Sequence, residues 1–430
     1  MNTLERLRDG QLAGATRLDL NLGLKEVPNE VFDLADTLEV LNLSGNRLTT
    51  LPAALGRLKR LKVIFCSDNP FETLPEVLGE CPALEMVGFK ACRIGRVPPQ
   101  SLPPALRWLI LTDNRIEHLP DTFDGFPRLR KLMLAGNRLR ALPESLAQST
   151  ELELLRVACN RIERLPPWLL DLPRLAWLAY AGNPLCPVRP RPNAKAVQWQ
   201  SLSLAHKLGE GASGTVFQAN LPTGEAVAVK CFKAHRTSDG APEDEIAACL
   251  HAGGHPNLVA QRGQLEGHPE GLPGLVMELI DPAYRILAGP PSFESCTRDV
   301  YAPALSFETV TAHRMLCGLA TAARHLHERG VMHGDLYGHN VLYRDDGHAL
   351  LGDFGAASRY HPEDKDLASK LEAIEVRAFG ILLEEVAARC EVAPPGWKAL
   401  SDACQQPDLD ARPCFQDVEA ALESVPALRL

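Results

Sequence analysis

Leucine recurs through the first half of the chain at a spacing that neither an isolated helix nor an isolated strand produces. One unit reads Leu38, Leu41, Leu43, Asn46, Leu48, Leu51 and Pro52, and its polar landmark returns as Asn69, Cys92, Asn114, Asn137, Asn160 and Asn183. The steps are 69 − 46 = 23, 92 − 69 = 23 and 114 − 92 = 22 residues. An irregular earlier copy, from Leu18 and Leu20 to Val27 and Pro28, brings the count to eight units. Such a period predicts a solenoid: each unit supplies a short strand and turns its leucines into a core that closes only against neighbours above and below. The asparagine column is read as structural, its amides satisfying backbone groups buried at each bend. Cys92 takes that place once.

Period-2 alternation in each short strand sends the residues between the leucines to the concave face. Down the stack the first such position reads Val40, Val63, Met86, Trp108, Lys131, Leu154 and Trp177, with Phe65, Ile110 and Met133 beside it. So long an apolar stripe predicts a protein-binding surface, with Val63, Met86, Trp108, Leu154 and Trp177 as candidate contacts. The alternative is that the column packs on another part of the same chain or merely stacks on itself. The pattern resembles the leucine-rich repeat family over about residues 14–185.

The pattern changes after Asn183. Pro184, Pro187, Pro190 and Pro192 cannot continue a strand ladder and predict a stiff, extended connector over 186–197. Beyond it, Ala226-Val227-Ala228-Val229-Lys230 alternates as a strand, and Val310 to His327 repeats its apolar positions as an amphipathic helix. The expected organisation is a repeat domain over 1–185, the connector, and a second domain over 198–425: a multidomain α+β protein.

Composition narrows the function. A net charge of −9 excludes a phosphate-backbone partner, because nucleic-acid binding rests on clustered Lys and Arg. No run approaches the roughly 20 apolar residues of a membrane span, and the N-terminus lacks a basic-then-apolar signal, so a cytoplasmic setting is expected. The twelve cysteines contain no C-x-x-C pair and read as free, buried thiols, as at Cys66 and Cys317.

Candidate chemistry concentrates in the second half. Leu208-Gly209-Glu210-Gly211-Ala212-Ser213-Gly214-Thr215-Val216 lies between two β-rich runs and just before the strand bearing Lys230. That context suits a hairpin over phosphates, with glycines admitting the backbone close to the oxygens and Lys230 aimed at them. Further on, His333-Gly334-Asp335-Leu336-Tyr337-Gly338-His339-Asn340 and Asp353-Phe354-Gly355 supply an Asp, an Asn and a second Asp around two hydrophobic runs. These are the parts that hold Mg²⁺ and a nucleotide triphosphate beside a hydroxyl.

Together these motifs resemble the protein kinase superfamily over about residues 200–425, implying a bilobal kinase-like domain that uses ATP and Mg²⁺. The resemblance implies that Lys230 contacts the phosphates and pairs with Glu245, with Glu243 as the rival. It makes Met277 the gatekeeper, Glu278 and Ile280 the adenine-binding backbone, and Leu208, Val216, Ala228 and Leu342 the walls of the purine slot. Gly209, Gly211 and Gly214 would line the phosphates. Asp335 would take the acceptor's proton, Asn340 and Asp353 would ligate Mg²⁺, and His333 would hold the loop through backbone contacts. Asp408 to Pro413 resembles the family's closing motif. A Ser/Thr kinase acting on a protein, with the repeats recruiting or regulating, is the implied function.

Three departures stand out. Gly334 replaces the arginine that anchors a phosphorylated activation loop in many members, and Tyr337 stands where Ser/Thr kinases carry a lysine. Glu375 follows Gly355 by only 375 − 355 = 20 positions, with no Ala-Pro-Glu between, so Glu372 is expected as the substitute partner of Arg412. The same short loop motif occurs in kinase-like enzymes that phosphorylate aminoglycosides or choline, one alternative; an ATP-binding pseudokinase scaffold is the other.

Overall fold

The computed structural model describes residues 3–187, 196–211, 213–233, 237 and 239–424. Most of the expected connector, 188–195, lies outside the described residues, as do Ala212 and the chain after Ser424. The chain divides into two compact units, Met1–Leu172 and Pro173–Leu430.

In the first unit a short helix, α1 (Thr3–Arg8), precedes strands β1 (Arg17–Asp19), β2 (Val40–Asn42), β3 (Val63–Phe65), β4 (Met86–Gly88), β5 (Trp108–Ile110), β6 (Lys131–Met133) and β7 (Leu154–Arg156). They pair in parallel, in register, one per repeat. The leucine columns point inward: Leu38, Leu41, Leu43 and Leu48 are fully buried, each stabilising the fold by about 1.5–3 kcal/mol relative to exposure.

The asparagine column ties successive turns together. Asn69 Nδ2 donates to Leu43 O at 2.9 Å and Cys66 O at 3.0 Å, while its Oδ1 accepts the Leu48 N–H at 2.9 Å. Asn114 and Asn137 repeat the pattern. At the exceptional position the Cys92 thiol donates to Cys66 O and Lys90 O. The proline that closes most units has a use of its own. Pro52, Pro75, Pro143 and Pro166, extended and preset in φ, lead into the 3₁₀ turns Ala53–Arg57, Glu76–Glu80, Glu144–Gln148 and Pro167–Asp171.

The apolar column is not the bare stripe expected. Val63, Met86 and Leu154 are buried, and Val40 and Trp108 are half-buried. Register is the reason within this unit: Val63, Met86, Trp108, Lys131 and Leu154 are direct cross-strand partners, stacked at the roughly 4.8 Å strand spacing, so each covers its neighbours. Lys131 Nζ lies 3.9 Å from the centroid of the Trp108 ring.

The eighth repeat strand, β8 (Trp177–Ala179), falls in the second unit. After it come β9 (Ala196–Gln198), β10 (Ser203–Glu210), β11 (Gly214–Asn220) and β12 (Ala226–Phe232), then helix α2 (Pro242–Ala252), β13 (Gln261–Glu266) and β14 (Gly274–Glu278). Their sheet order is β10-β11-β12-β14-β13-β9, antiparallel except that β9 lies parallel to β13. A helical layer follows. The amphipathic run becomes α3 (Thr309–Glu328), and α4 (Lys365–Ala387) is buried along most of its length, with α5 (Pro395–Cys404) and α6 (Phe415–Glu423) packed beside them. Between the layers lie β15 (Arg285–Ile286), β16 (Val331–Met332), β17 (Val341–Tyr343), β18 (Ala349–Leu351) and β19 (Ser358–Arg359), paired as β15-β17-β18 and β16-β19.

The architecture is therefore mixed α/β in two parts, a repeat sheet and a mixed-sheet domain with a helical layer. All twelve cysteines are free, although Cys317 is only half-buried. No helix among the described residues is long and apolar enough to cross a membrane.

Candidate active site

Strand β12 organises the site because its two faces meet different surroundings. Val227, Val229 and Cys231 enter a core with Ala219, Leu265 and Val276, whereas Ala228 and Lys230 line a cleft of about 520 Å³. Twelve expected residues meet in that cleft: Leu208, Gly211, Gly214, Val216, Ala228, Lys230, Glu245, Met277, Glu278, Ile280, Leu342 and Asp353. Gly209, Asp335 and Asn340 are not among its lining residues. Leu275, Val259, Gln261 and Cys249 line it without having been anticipated. Nothing distinguishes them in the sequence from ordinary sheet and helix positions.

The three glycines divide the work. A Cβ on Gly209 or Gly211 would meet nothing within 4 Å, so their bare backbone borders open space. On Gly214 it would lie 2.5 Å from Cys231 O, so that glycine is required by the β11 to β12 pairing itself. At the hinge, the Glu278 N–H is engaged by Ala260 O at 2.9 Å and the Glu278 side chain accepts the Ala260 N–H. A base contact at Glu278 therefore falls to its carbonyl.

The charged centre is compact. Lys230 Nζ donates to Glu245 Oε1 at 2.6 Å and lies 3.7 Å from Asp353 Oδ1. Glu243 is exposed on the other side of α2, so the register falls to Glu245. Burial acts to lower the Lys230 pKa, but Asp353 and Glu245 outweigh it and the amine is held charged, above its ordinary range. Burial likewise pushes Glu245 up to about 7 against the pull of Lys230. Asp353, in left-handed backbone at φ 51°, has a half-exposed side chain. Desolvation acts to raise its pKa, yet Lys230, the Gly355 N–H, His333 and His339 hold it below the usual carboxylate range.

A second set of contacts holds the loop from His333 to Asn340. Asn340 Nδ2 donates to Asp335 Oδ2 and Asp335 O, both at 2.9 Å. His333 is buried, receives the Asp335 N–H at Nδ1 and lies 2.9 Å from Gly352 O. Beneath them Glu375 of α4 accepts the Gly334 N–H at 2.7 Å and the His333 N–H at 3.1 Å. Asp299 accepts the His339 N–H at 2.9 Å and meets His339 Nδ1 at 2.7 Å. A Cβ on Gly338 would lie 2.6 Å from the Tyr301 hydroxyl. Asp299 and Tyr301 belong to a stretch without recognisable motif, and Gly338 was the only hint of their approach.

Two expectations fail here. Arg412 does not pair with Glu372: its guanidinium donates to the carbonyls of Gln406 at 2.7 Å, Ala373 at 2.8 Å and Pro173 at 2.8 Å. Glu372 instead accepts the Phe415 N–H at 2.8 Å, at the first turn of α6. Burial brings Arg412 down to about 10, and carbonyl acceptors satisfy its donors without a second buried charge. Trp177, expected to face a partner, is 1 % exposed and stacked on Tyr337, with centroids 4.1 Å apart. The segment after Gly355 is short, as expected: α4 begins at Lys365, and residues 356–364 precede it.

The lining suits a nucleotide. Apolar side chains line the slot, open backbone at Gly211 borders it, and a charged amine faces into it. Asn340 and Asp353 offer oxygen donors of the kind hard divalent cations take, in a number that leaves room for phosphates and water.

Comparisons agree with this geometry. The family model described as protein kinase domain matches residues 202–377, and those described as leucine rich repeat match 82–139 and, as two copies, 36–79. The L-type lectin-domain containing receptor kinase S.7 of Oryza sativa subsp. japonica is 30% identical over 202 residues, covering 42% of this chain and 27% of that protein. A probable serine/threonine-protein kinase of Arabidopsis thaliana is 29% identical over 185 residues, covering 41% and 30%. Mitogen-activated protein kinase kinase kinase kinase 3 of Homo sapiens is 30% identical over 165 residues, covering 37% and 16%. The chain thus spans less than a third of the length of each of these relatives.

Proposed function

Because the chain joins leucine-rich repeats to a protein kinase domain, we propose that it transfers the γ-phosphate of ATP to a serine or threonine hydroxyl of a protein, using Mg²⁺. The observation that carries this reading is the buried Lys230 to Glu245 ion pair, 2.6 Å long, with Asp353 3.7 Å from the same amine. The names of relatives such as the Arabidopsis serine/threonine-protein kinase support the choice of acceptor.

Each residue then has a role. Lys230, fixed by Glu245, steadies the phosphates. Asp335 orients the acceptor hydroxyl and receives its proton. Asn340 holds the Asp335 carboxylate through its amide nitrogen, which leaves its oxygen for the cation beside Asp353. When bound, the cation would offset the negative charge of the phosphates. Leu208, Val216, Ala228 and Leu342 hold the purine between apolar faces, with Met277 behind it and the Glu278 carbonyl and Ile280 backbone at its edge. Free cysteines throughout support a reducing, cytoplasmic setting. On the repeat face, Trp108 with Val40, Phe65, Ile110 and Met133, each half-exposed, are the candidate contacts for a partner.

One observation favours a second reading. The nine residues from Ala356 to Asp364, 364 − 355 = 9, leave little backbone to cradle a peptide, so the acceptor could instead be a small alcohol of the aminoglycoside or choline type. Purified protein given labelled ATP and Mg²⁺, beside Asp335→Ala, with a lysate and a panel of small alcohols, separates the two. Label on serine or threonine of proteins, absent with Asp335→Ala, is the expected result. Label only on a small molecule establishes the second reading, and none at all overturns both.

A further inference from the structure

We propose that the strand Trp177–Ala179 is a built-in positioning element for the loop bearing Asp335, and that it makes phosphorylation of the segment after Asp353 unnecessary. The proposal rests on the kinase reading above. Trp177 touches the loop in two ways. Its ring stacks on Tyr337, at 4.1 Å and 9° between planes, and its Nε1–H donates to Leu336 O at 3.2 Å. Tyr337 in turn meets His339, at 4.9 Å between centroids. Two ring contacts and one hydrogen bond to a backbone carbonyl thus link Trp177 to the residues between Asp335 and Asn340.

The same strand also holds the segment after Asp353. The Tyr180 N–H donates to Ser358 Oγ at 2.9 Å. A Cβ at position 334 would lie 2.6 Å from Leu178 O and 2.8 Å from Ala356 O. Gly334 is therefore glycine because the strand, the loop and the segment converge on it, and a longer side chain there would displace the strand. Nearby carbonyls anchor the strand's approach: Pro173 O accepts from Arg412 and Arg174 O from Arg377.

A phosphorylated loop orders a kinase site by giving an arginine a new anion to grip. Here that arrangement has no foothold. Between Gly355 and Lys365 the hydroxyls are those of Ser358 and Tyr360, at 0 % and 5 % exposure. Ser358 is engaged by Tyr180, and the Tyr360 hydroxyl by the carbonyl and imidazole of His327. The order that phosphate would induce is supplied by packing. Trp177 and Tyr337 are positioning residues; neither lines the nucleotide cleft.

The test compares the full chain with Trp177→Ala and Trp177→Phe, reading kcat, ATP affinity by thermal shift, and amide exchange. For Trp177→Ala we expect kcat to fall by about 10²-fold, ATP affinity to stay within about twofold, and exchange to rise over 334–340 and 356–360. Trp177→Phe keeps the stack and should recover most of the loss. Phosphatase treatment of the wild type should leave its activity intact. Trp177→Ala with unchanged kcat and unchanged exchange overturns the proposal, as does a phosphatase-sensitive wild type. If the wild type transfers no phosphate, the kinase reading fails and exchange alone decides: raised protection loss over those two stretches supports the positioning role, and none overturns it. If Trp177→Ala does not fold, Trp177→Phe beside Trp177→Leu decides, a Leu variant equal to Phe in kcat and exchange overturning the role of the stack.

Discussion

Glu375 Oε1 accepts the Gly334 amide hydrogen at 2.7 Å, so an acid wholly buried in α4 grips the backbone of the loop that carries Asp335. Burial acts to raise its pKa, but the hydrogen bond and charge of His327, with His333 and the Gly334 N–H, outweigh it and the pKa is lowered from the ordinary 4.5. A carboxylate depressed in the folded state contributes stability that is present above its unfolded pKa and lost as pH falls through its folded one. Denaturant unfolding from pH 7 down to pH 3.5 should therefore show stability declining below about 4.5. Glu375→Gln should flatten that decline and cost about 1–3 kcal/mol at pH 7, because the amide replaces one of the two oxygens that accept the His333 and Gly334 N–H groups.

Asp335 and Asp353 should separate chemistry from binding. Asp335→Asn should lower kcat by about 10²–10⁴-fold, the range of a lost general base, with little change in the thermal shift produced by ATP and Mg²⁺. For Asp353→Asn the thermal shift itself should lose its dependence on Mg²⁺. Calorimetric titration of ATP with and without Mg²⁺ distinguishes them.

Gly334 has φ +73° and two backbone oxygens inside 3 Å of where a Cβ would stand. Backbone strain and overpacking act together there, so Gly334→Ala should cost at least about 2 kcal/mol. Gly211→Ala, at the cleft with open space around its Cβ, should change the melting temperature little and act instead on ATP affinity. Melting curves and ATP titrations of the two variants check the contrast.

Within the repeats, Asn114→Ala leaves the carbonyls of Phe89 and Leu111 and the Ile94 N–H without their buried partner. A loss of about 2–3 kcal/mol is expected from the groups left unsatisfied. Asn114→Cys, the substitution that position 92 already carries, should recover part of it by keeping a donor. Urea unfolding of the three proteins measures the difference.

Much of this fold was legible because its signals are periodic. A leucine column with an asparagine every 23 or 22 residues admits few structures, and alternation along Ala226 to Lys230 was enough to aim Lys230 into the cleft. The concave column was misjudged because strand spacing, which lets Val63, Met86 and Trp108 cover one another, does not show in a list of residues. Arg412 was misread for a related reason: it ended on backbone carbonyls, and every residue has one. Asp299, Tyr301 and the Trp177 stack rest on contacts across 40, 37 and 160 positions of sequence (339 − 299, 338 − 301 and 337 − 177), each made by side chains that carry no motif.

Strand β9 lies on the edge of the six-stranded sheet, paired in parallel with β13. At three residues, β9 leaves that edge few unpaired backbone groups, and so offers little template for pairing with a strand of another chain.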